Sequence, residues 1–131
     1  MKLVISGLHI KDNALLLVLK KGIWILPGGK FDNKVDKKEE DCLIRECVEE
    51  MGIKVKPLNR FGKYNGITPH SQTDVSVIVW FMDTDEVPGY YAEISETHYF
   101  PADKLFSIPV SEITNRIIKD LCKHELLKPS L

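Results

Sequence analysis

Apolar positions along this chain mostly fall in short runs, and they take up helical spacing in two places. Lys2 to Ile10 and Ala14 to Lys20 read as two strands around a polar Lys11-Asp12-Asn13 turn. Trp24-Ile25-Leu26 is a short apolar run stopped by Pro27-Gly28-Gly29, a strong breaker. Polar and charged residues fill Phe31 to Lys38, so that stretch is expected to be loop. Glu39 to Met51 reads as a helix. Asp36 followed three residues later by Glu39 resembles a capping box at its start, and Gly52 sits where a helix commonly ends. Leu58 to Tyr64 and Val75 to Met82 are strand candidates, the second apolar on both faces and therefore central. Glu93 to Phe100 is a weaker strand or turn. Ser111 is placed to cap a last helix, in which Ile113, Ile117, Ile118 and Leu121 repeat at helical spacing. Strands dominate, with one helix in the middle and one at the end, a pattern that predicts an α+β or α/β sandwich.

At 131 residues the chain is about one domain long and needs no staples to hold a core, so residues 1–131 are read as a single domain. There is no internal repeat, low-complexity tract or linker. Hydrophobic and charged contents of 44% and 28% are those of a soluble globular protein. A net charge of -1 removes the global basic field expected of a duplex nucleic-acid binder, though not local patches. Cys42, Cys47 and Cys122 show no metal-ligand spacing, and so sparse and odd a count fits a reducing compartment. Leu3 to Ile10 is too short for a membrane span and lacks a small-residue cleavage site. The chain is therefore expected to be cytoplasmic, with no membrane partner.

The chemistry is concentrated around the first helix. At ~100° per residue, Leu43, Ile44, Cys47, Val48 and Met51 share one arc of roughly 140°. Glu46, Glu49 and Glu50 lie opposite, within about 100°. Spacings of three and four residues bring these carboxylates within a few ångströms of one another, which is unfavourable unless a cation joins them. Oxygen-rich clusters of this kind are what hard cations such as Mg²⁺ or Mn²⁺ prefer. Arg45, one turn before Glu49, is placed to pair with and orient that carboxylate. Taken alone, three glutamates on an amphipathic helix most often form a solvated face, and Pro27-Gly28-Gly29 most often an ordinary turn.

Together they resemble the Nudix box, Gly-x5-Glu-x7-Arg-Glu-U-x-Glu-Glu-x-Gly-U, where U is apolar. Arg45, Glu46, Glu49, Glu50 and Gly52 match it, with Cys47 and Ile53 at the U positions. Leu26-Pro27-Gly28-Gly29-Lys30 looks like the segment that usually precedes the box, and Glu93 to Leu105 resembles a Glu-rich, aromatic-then-acidic segment common in the family. Two departures stand out. From Gly29 to Arg45 is sixteen residues where the pattern has fourteen, and the first box glutamate falls on Lys37. Asp36 and Glu39 are the candidates to replace its capping role.

The resemblance implies a Nudix-type α/β/α sandwich with a mixed β-sheet and a loop-helix-loop motif. By position it implies Glu46, Glu49 and Glu50 as ligands of Mg²⁺ or Mn²⁺, with the Gly28 carbonyl as another. Lys30 and Gly29 would lie near the substrate phosphates, and Arg45 and Glu93 complete the implied catalytic set. The implied reaction is water attack on the pyrophosphate linkage of a nucleoside diphosphate bonded to some group X, a small-molecule nucleotide substrate. The alternative is a non-catalytic Nudix-fold module that binds a nucleotide or regulates a partner. Tyr64, His70, Trp80, Tyr90 and Tyr91 are candidates to stack on a base, His70 on a loop after Thr68-Pro69. Cys42, one turn before Glu46, reads as a small residue that lets the loop pack and not as a redox group.

Overall fold

The computed structural model describes residues 2–130. Its strands are β1 (Lys2–Leu8), β2 (Ile10–Lys11), β3 (Ala14–Lys20), β4 (Ile23–Ile25), β5 (Gly28–Lys30), β6 (Lys56–Ile67), β7 (Asp74–Asp83) and β8 (Glu96–Pro101). The α-helices are α1 (Glu39–Met51) and α2 (Glu112–Lys123). The expected turn after β2 is a two-residue hairpin, with Asp12 and Asn13 both left-handed (φ 51° and 60°), the backbone twist that suits flanking strands.

Among the described residues the strands form two four-stranded sheets. The first runs β5-β1-β7-β6, with β1 parallel to β7 and every other pairing antiparallel. β7 is thus central, as its apolar faces require. In the second sheet β3 carries β8 along one side and β2 and β4 in turn along the other, all antiparallel. The first sheet is the mixed sheet that the resemblance implied, and the second is wholly antiparallel. The long apolar run Lys2 to Ile10 is broken at His9, where the chain passes from one sheet to the other.

Alternation along the strands divides the interior in two. Leu15 and Leu17 of β3 and Val75, Val77 and Val79 of β7 pack with Ile113, Ile117, Ile118 and Leu121 of α2. Their neighbours Leu16, Val18, Ile78 and Met82 pack instead with Leu43, Cys47 and Met51 of α1. One helix therefore covers each face, the α/β/α layering that the resemblance implied. Ser111 caps α2 as expected, its Oγ accepting the Thr114 N–H at 3.1 Å. Gly52 ends α1 in the left-handed conformation (φ 67°).

Three local readings are corrected. Pro27-Gly28-Gly29 does not simply break the chain, because Gly28–Lys30 forms β5 and pairs with β1. Asp36 and Glu39 do not cap α1; Asp41 does, its Oδ2 accepting the Lys37 and Lys38 N–H groups at 3.2 Å each. Glu93 to Phe100 resolves into a turn followed by β8, which starts at Glu96.

Candidate active site

α1 does not bury the arc that its apolar residues mark. Cys42, Leu43, Cys47 and Met51 are fully inside, while Ile44 and Val48 are 38% and 48% exposed. The helix is rolled by about 80° towards its glutamates relative to the apolar stripe. The cause is the tight seat against β5: the Cys42 thiol sits 3.6 Å from the carbonyl oxygens of both Gly29 and Lys30. Burial pushes that thiol up to about 12, so it is a packing group, as read from its small size.

The roll carries Glu50 and Glu46 inward beneath β5. Glu50 Oε1 accepts the Gly28 N–H at 3.0 Å. Burial is the main reason its carboxyl is pushed up to about 8, with the nearby Glu46 charge adding to it and the Gly28 N–H opposing it. Glu46 is also raised, first by burial and then by the Glu49 charge. Both glycines are required by close approach. Gly28 adopts φ 145°, and a Cβ there would run into the Ile5 and Ser6 backbone. A Cβ on Gly29 would fall onto the Glu46 carboxylate.

Arg45 holds the outer side of the cluster. Its Nε and Nη2 donate to Asp36 Oδ1 and Oδ2 at 3.0 and 2.8 Å, a bidentate pair. Nη1 reaches Glu46 at 3.0 Å and, more weakly, Glu49 at 3.5 Å, while Nη2 also meets the Lys30 carbonyl at 3.3 Å. Arg45 was expected to orient Glu49; its principal partner is Asp36. Asp36 is only 4% exposed and accepts the Asp32 N–H at 3.0 Å, so it ties the longer loop to the helix. The Arg45 guanidinium holds its carboxyl below the ordinary value. Sequence reasoning missed this pairing, because nothing local shows that Asp36 folds back under Arg45.

A cavity of about 530 Å³ opens beside the cluster and is lined by Gly28, Gly29, Lys30, Glu46, Glu49 and Glu50. Glu93 lines it too, exposed and paired with Lys20 at 3.0 Å. That pairing is the main cause of the lowered Glu93 carboxyl. Glu96 is not among the lining residues. His70 lines the cavity, as its loop position allowed, whereas the other aromatic candidates serve elsewhere. The Tyr64 hydroxyl donates to Asp120 at 2.6 Å, and Trp80 Nε1 donates to Glu39 at 2.8 Å. The Tyr91 ring lies against Gly52, and Tyr90 is exposed away from the cavity. Lys20 and Lys21 escaped the sequence reading; their place in the tight turn between β3 and β4 was the available signal.

The donor set fits a hard divalent cation: carboxylate oxygens on two half-buried groups, of which Glu50 makes no ion pair among the described residues. Among the described residues, however, no three His, Cys, Asp or Glu side chains are already gathered closely enough to hold an ion. Arg45 draws Glu46 and Glu49 towards itself, while Gly28 holds Glu50.

A family model for the NUDIX domain matches residues 3–121. The chain belongs to the NUDIX family. At that family level it is a Nudix pyrophosphohydrolase. Solved structures share the Nudix fold at low identity. A MutT NUDIX hydrolase from Burkholderia pseudomallei has a TM-score of 0.78 at 21% identity, over 90% of this chain and 95% of that one. The NUDIX domain of Shewanella oneidensis NrtR, solved with ADP ribose, has 0.74 at 17%, over 94% and 87%. An ADP-ribose pyrophosphatase from Streptococcus suis has 0.66 at 23%, over 92% and 87%. Among the described residues of this Nudix chain, no helix is long and apolar enough to cross a membrane.

Proposed function

We propose that the chain is a Mg²⁺- or Mn²⁺-dependent hydrolase that splits the phosphoanhydride of a nucleoside diphosphate linked to a group X. The observation that carries this reading is the pair Glu46 and Glu50, half-buried under the Gly28-Gly29 strand at the wall of a cavity. Burying like charges together costs stability, and a module that only binds its ligand has no use for that cost. Glu46, Glu49 and Glu50, with the Gly28 carbonyl, would hold the cation. A cation there would neutralise charge developing on the phosphoryl oxygens.

The chain's own groups account for the rest. Glu93 or one of the three helix glutamates takes a proton from the attacking water. The water oxygen bonds to phosphorus as the bridging P–O bond breaks, and the departing phosphate takes the electron pair. Lys30 and Gly29 line the cavity and would bind phosphate oxygens through the ammonium and the backbone. Arg45, locked by Asp36, keeps Glu46 and Glu49 in place.

Incubation with Mg²⁺ and a panel of nucleoside triphosphates, nucleotide sugars, ADP-ribose and dinucleoside polyphosphates tests the reading by product identification. Cleavage should give two phosphate-bearing products and stop with EDTA. Equal activity in EDTA, or activity confined to phosphomonoesters, would overturn it.

A further inference from the structure

The cavity beside the glutamates is flanked by lysines on two sides. Lys2 and Lys30 stand on β1 and β5 at one side, and Lys20 and Lys21 stand at the β3–β4 turn on the other. That turn is a two-residue hairpin whose residues are both left-handed, Lys21 at φ 49° and Gly22 at φ 80°. Lys20 is matched by Glu93. Among the described residues, Lys2, Lys21 and Lys30 make no ion pair. His70 and Lys21 both lie close enough to Glu93 to favour its charge, so the basic groups converge on that side of the mouth.

The inner wall has a different character. Val4, Val75, Val77 and Ile113 make it aliphatic, and no Phe, Tyr or Trp among the described residues lines the cavity. Of its hydroxyls, Ser111 bonds Thr114 at 2.7 Å and Thr68 bonds Ser71 at the mouth, which leaves Ser6 and His70 as the neutral polar side chains facing the space. A slot of this kind accepts the face of a base but has few groups with which to read its edge. Base discrimination comes from buried polar groups that the wrong ligand leaves unpaired.

We propose that this site selects the phosphate chain and not the base: its substrates carry three or more contiguous phosphates, and Lys2 and Lys21 hold the phosphates beyond the scissile bond. The inference rests on the pyrophosphohydrolase reading and narrows its substrate class. A triphosphate monoester carries roughly twice the charge of a pyrophosphate diester, and the unpaired lysines supply the match.

The test compares ATP, GTP, CTP, UTP, ADP-ribose and UDP-glucose with Mg²⁺, by turnover and by calorimetric binding, in the wild type, Lys2→Gln, Lys21→Gln and Lys21→Arg. The four triphosphates should agree in kcat/KM within about threefold and exceed both diphosphate-linked compounds by about tenfold or more. Lys21→Gln should raise KM for triphosphates by about tenfold with kcat little changed, Lys2→Gln should act in the same direction, and Lys21→Arg should restore the wild-type value. A spread among bases above tenfold, a preference for ADP-ribose, or indifference to both glutamine variants overturns the inference and leaves the hydrolase reading standing. Lysine-dependent triphosphate binding without any turnover sustains the inference and removes the hydrolase reading. Neither binding nor turnover removes both.

Discussion

Glu50 is held by a single backbone N–H and sits against a second carboxylate, so burial disfavours its charge when no cation is bound. Glutamine keeps its shape and removes that charge. Under the proposed function, Glu50→Gln or Glu49→Gln should lower kcat on the order of 10²-fold or more, since the lost group would stabilise a transition state and not the core. The metal-free fold should be unharmed or slightly stabilised by either change. Unchanged turnover in both variants would return the helix to a solvated acidic face. Asp36 behaves in the opposite way, because its carboxylate is buried and its charge is met by Arg45. Arg45→Ala would strand that carboxylate and should cost about 2–3 kcal/mol, less than the loss of a fully buried partner because Arg45 is itself 29% exposed. Chemical denaturation of the variant measures it, and a change under 0.5 kcal/mol, roughly the level of a surface substitution, would deny the pair its structural role.

At the scale of elements, the proposed function depends on how closely β5 and α1 approach. Gly29 is the contact point, because any side chain there would displace the Glu46 carboxylate. Gly29→Ala should cut kcat by about tenfold or more while circular dichroism and cooperative unfolding persist, the signature of a misplaced group and not of a lost fold. Gly28→Ala is a harsher change. It combines a φ of 145° with a collision against the β1 backbone, so it should detach β5 and lower the melting temperature markedly. If the two variants behaved alike, the division between a site glycine and a fold glycine would be wrong.

Across the whole molecule, the opposite shifts of Asp36 and Glu50 give stability an unusual pH profile without metal. Asp36 is depressed, so its contribution is present above the ordinary carboxylate pKa and is lost as pH falls through its folded value. Glu50 is raised to about 8, so the fold favours its protonated form. Stability from that preference is full below the unfolded value and is lost as pH rises towards about 8. In EDTA the melting temperature should decline from about pH 5 to about pH 8.5, and Glu50→Gln should flatten the decline. Added Mg²⁺ should raise the melting temperature most at the alkaline end, and more in the wild type than in Glu50→Gln, because ligands that bind only the folded state stabilise it by mass action. A flat wild-type profile in EDTA would show that Glu50 is not strained by burial.

The sequence alone was enough for features that short-range physics determines. The period of the apolar residues defined α1 and α2, Ser111 marked a cap, Gly52 marked a helix end, and the two-faced apolar run 75–82 marked the central strand. The box residues named the family because metal chemistry needs those residue types at helical spacing. Tertiary structure decided what depends on groups distant along the chain. The roll of α1 followed from its seat on β5, and it made Glu50 a half-buried acid and left Ile44 and Val48 exposed. The pairing of Asp36 with Arg45 spans a loop whose path no local pattern encodes, and the capping role expected of Asp36 passed to Asp41. The division of the strands into two sheets turned on one residue, His9, inside a run whose hydrophobicity gives no sign of a break. Lys2, Lys21 and His70 met at one cavity only because β1, the β3–β4 turn and the β6–β7 loop end at the same side of the sandwich.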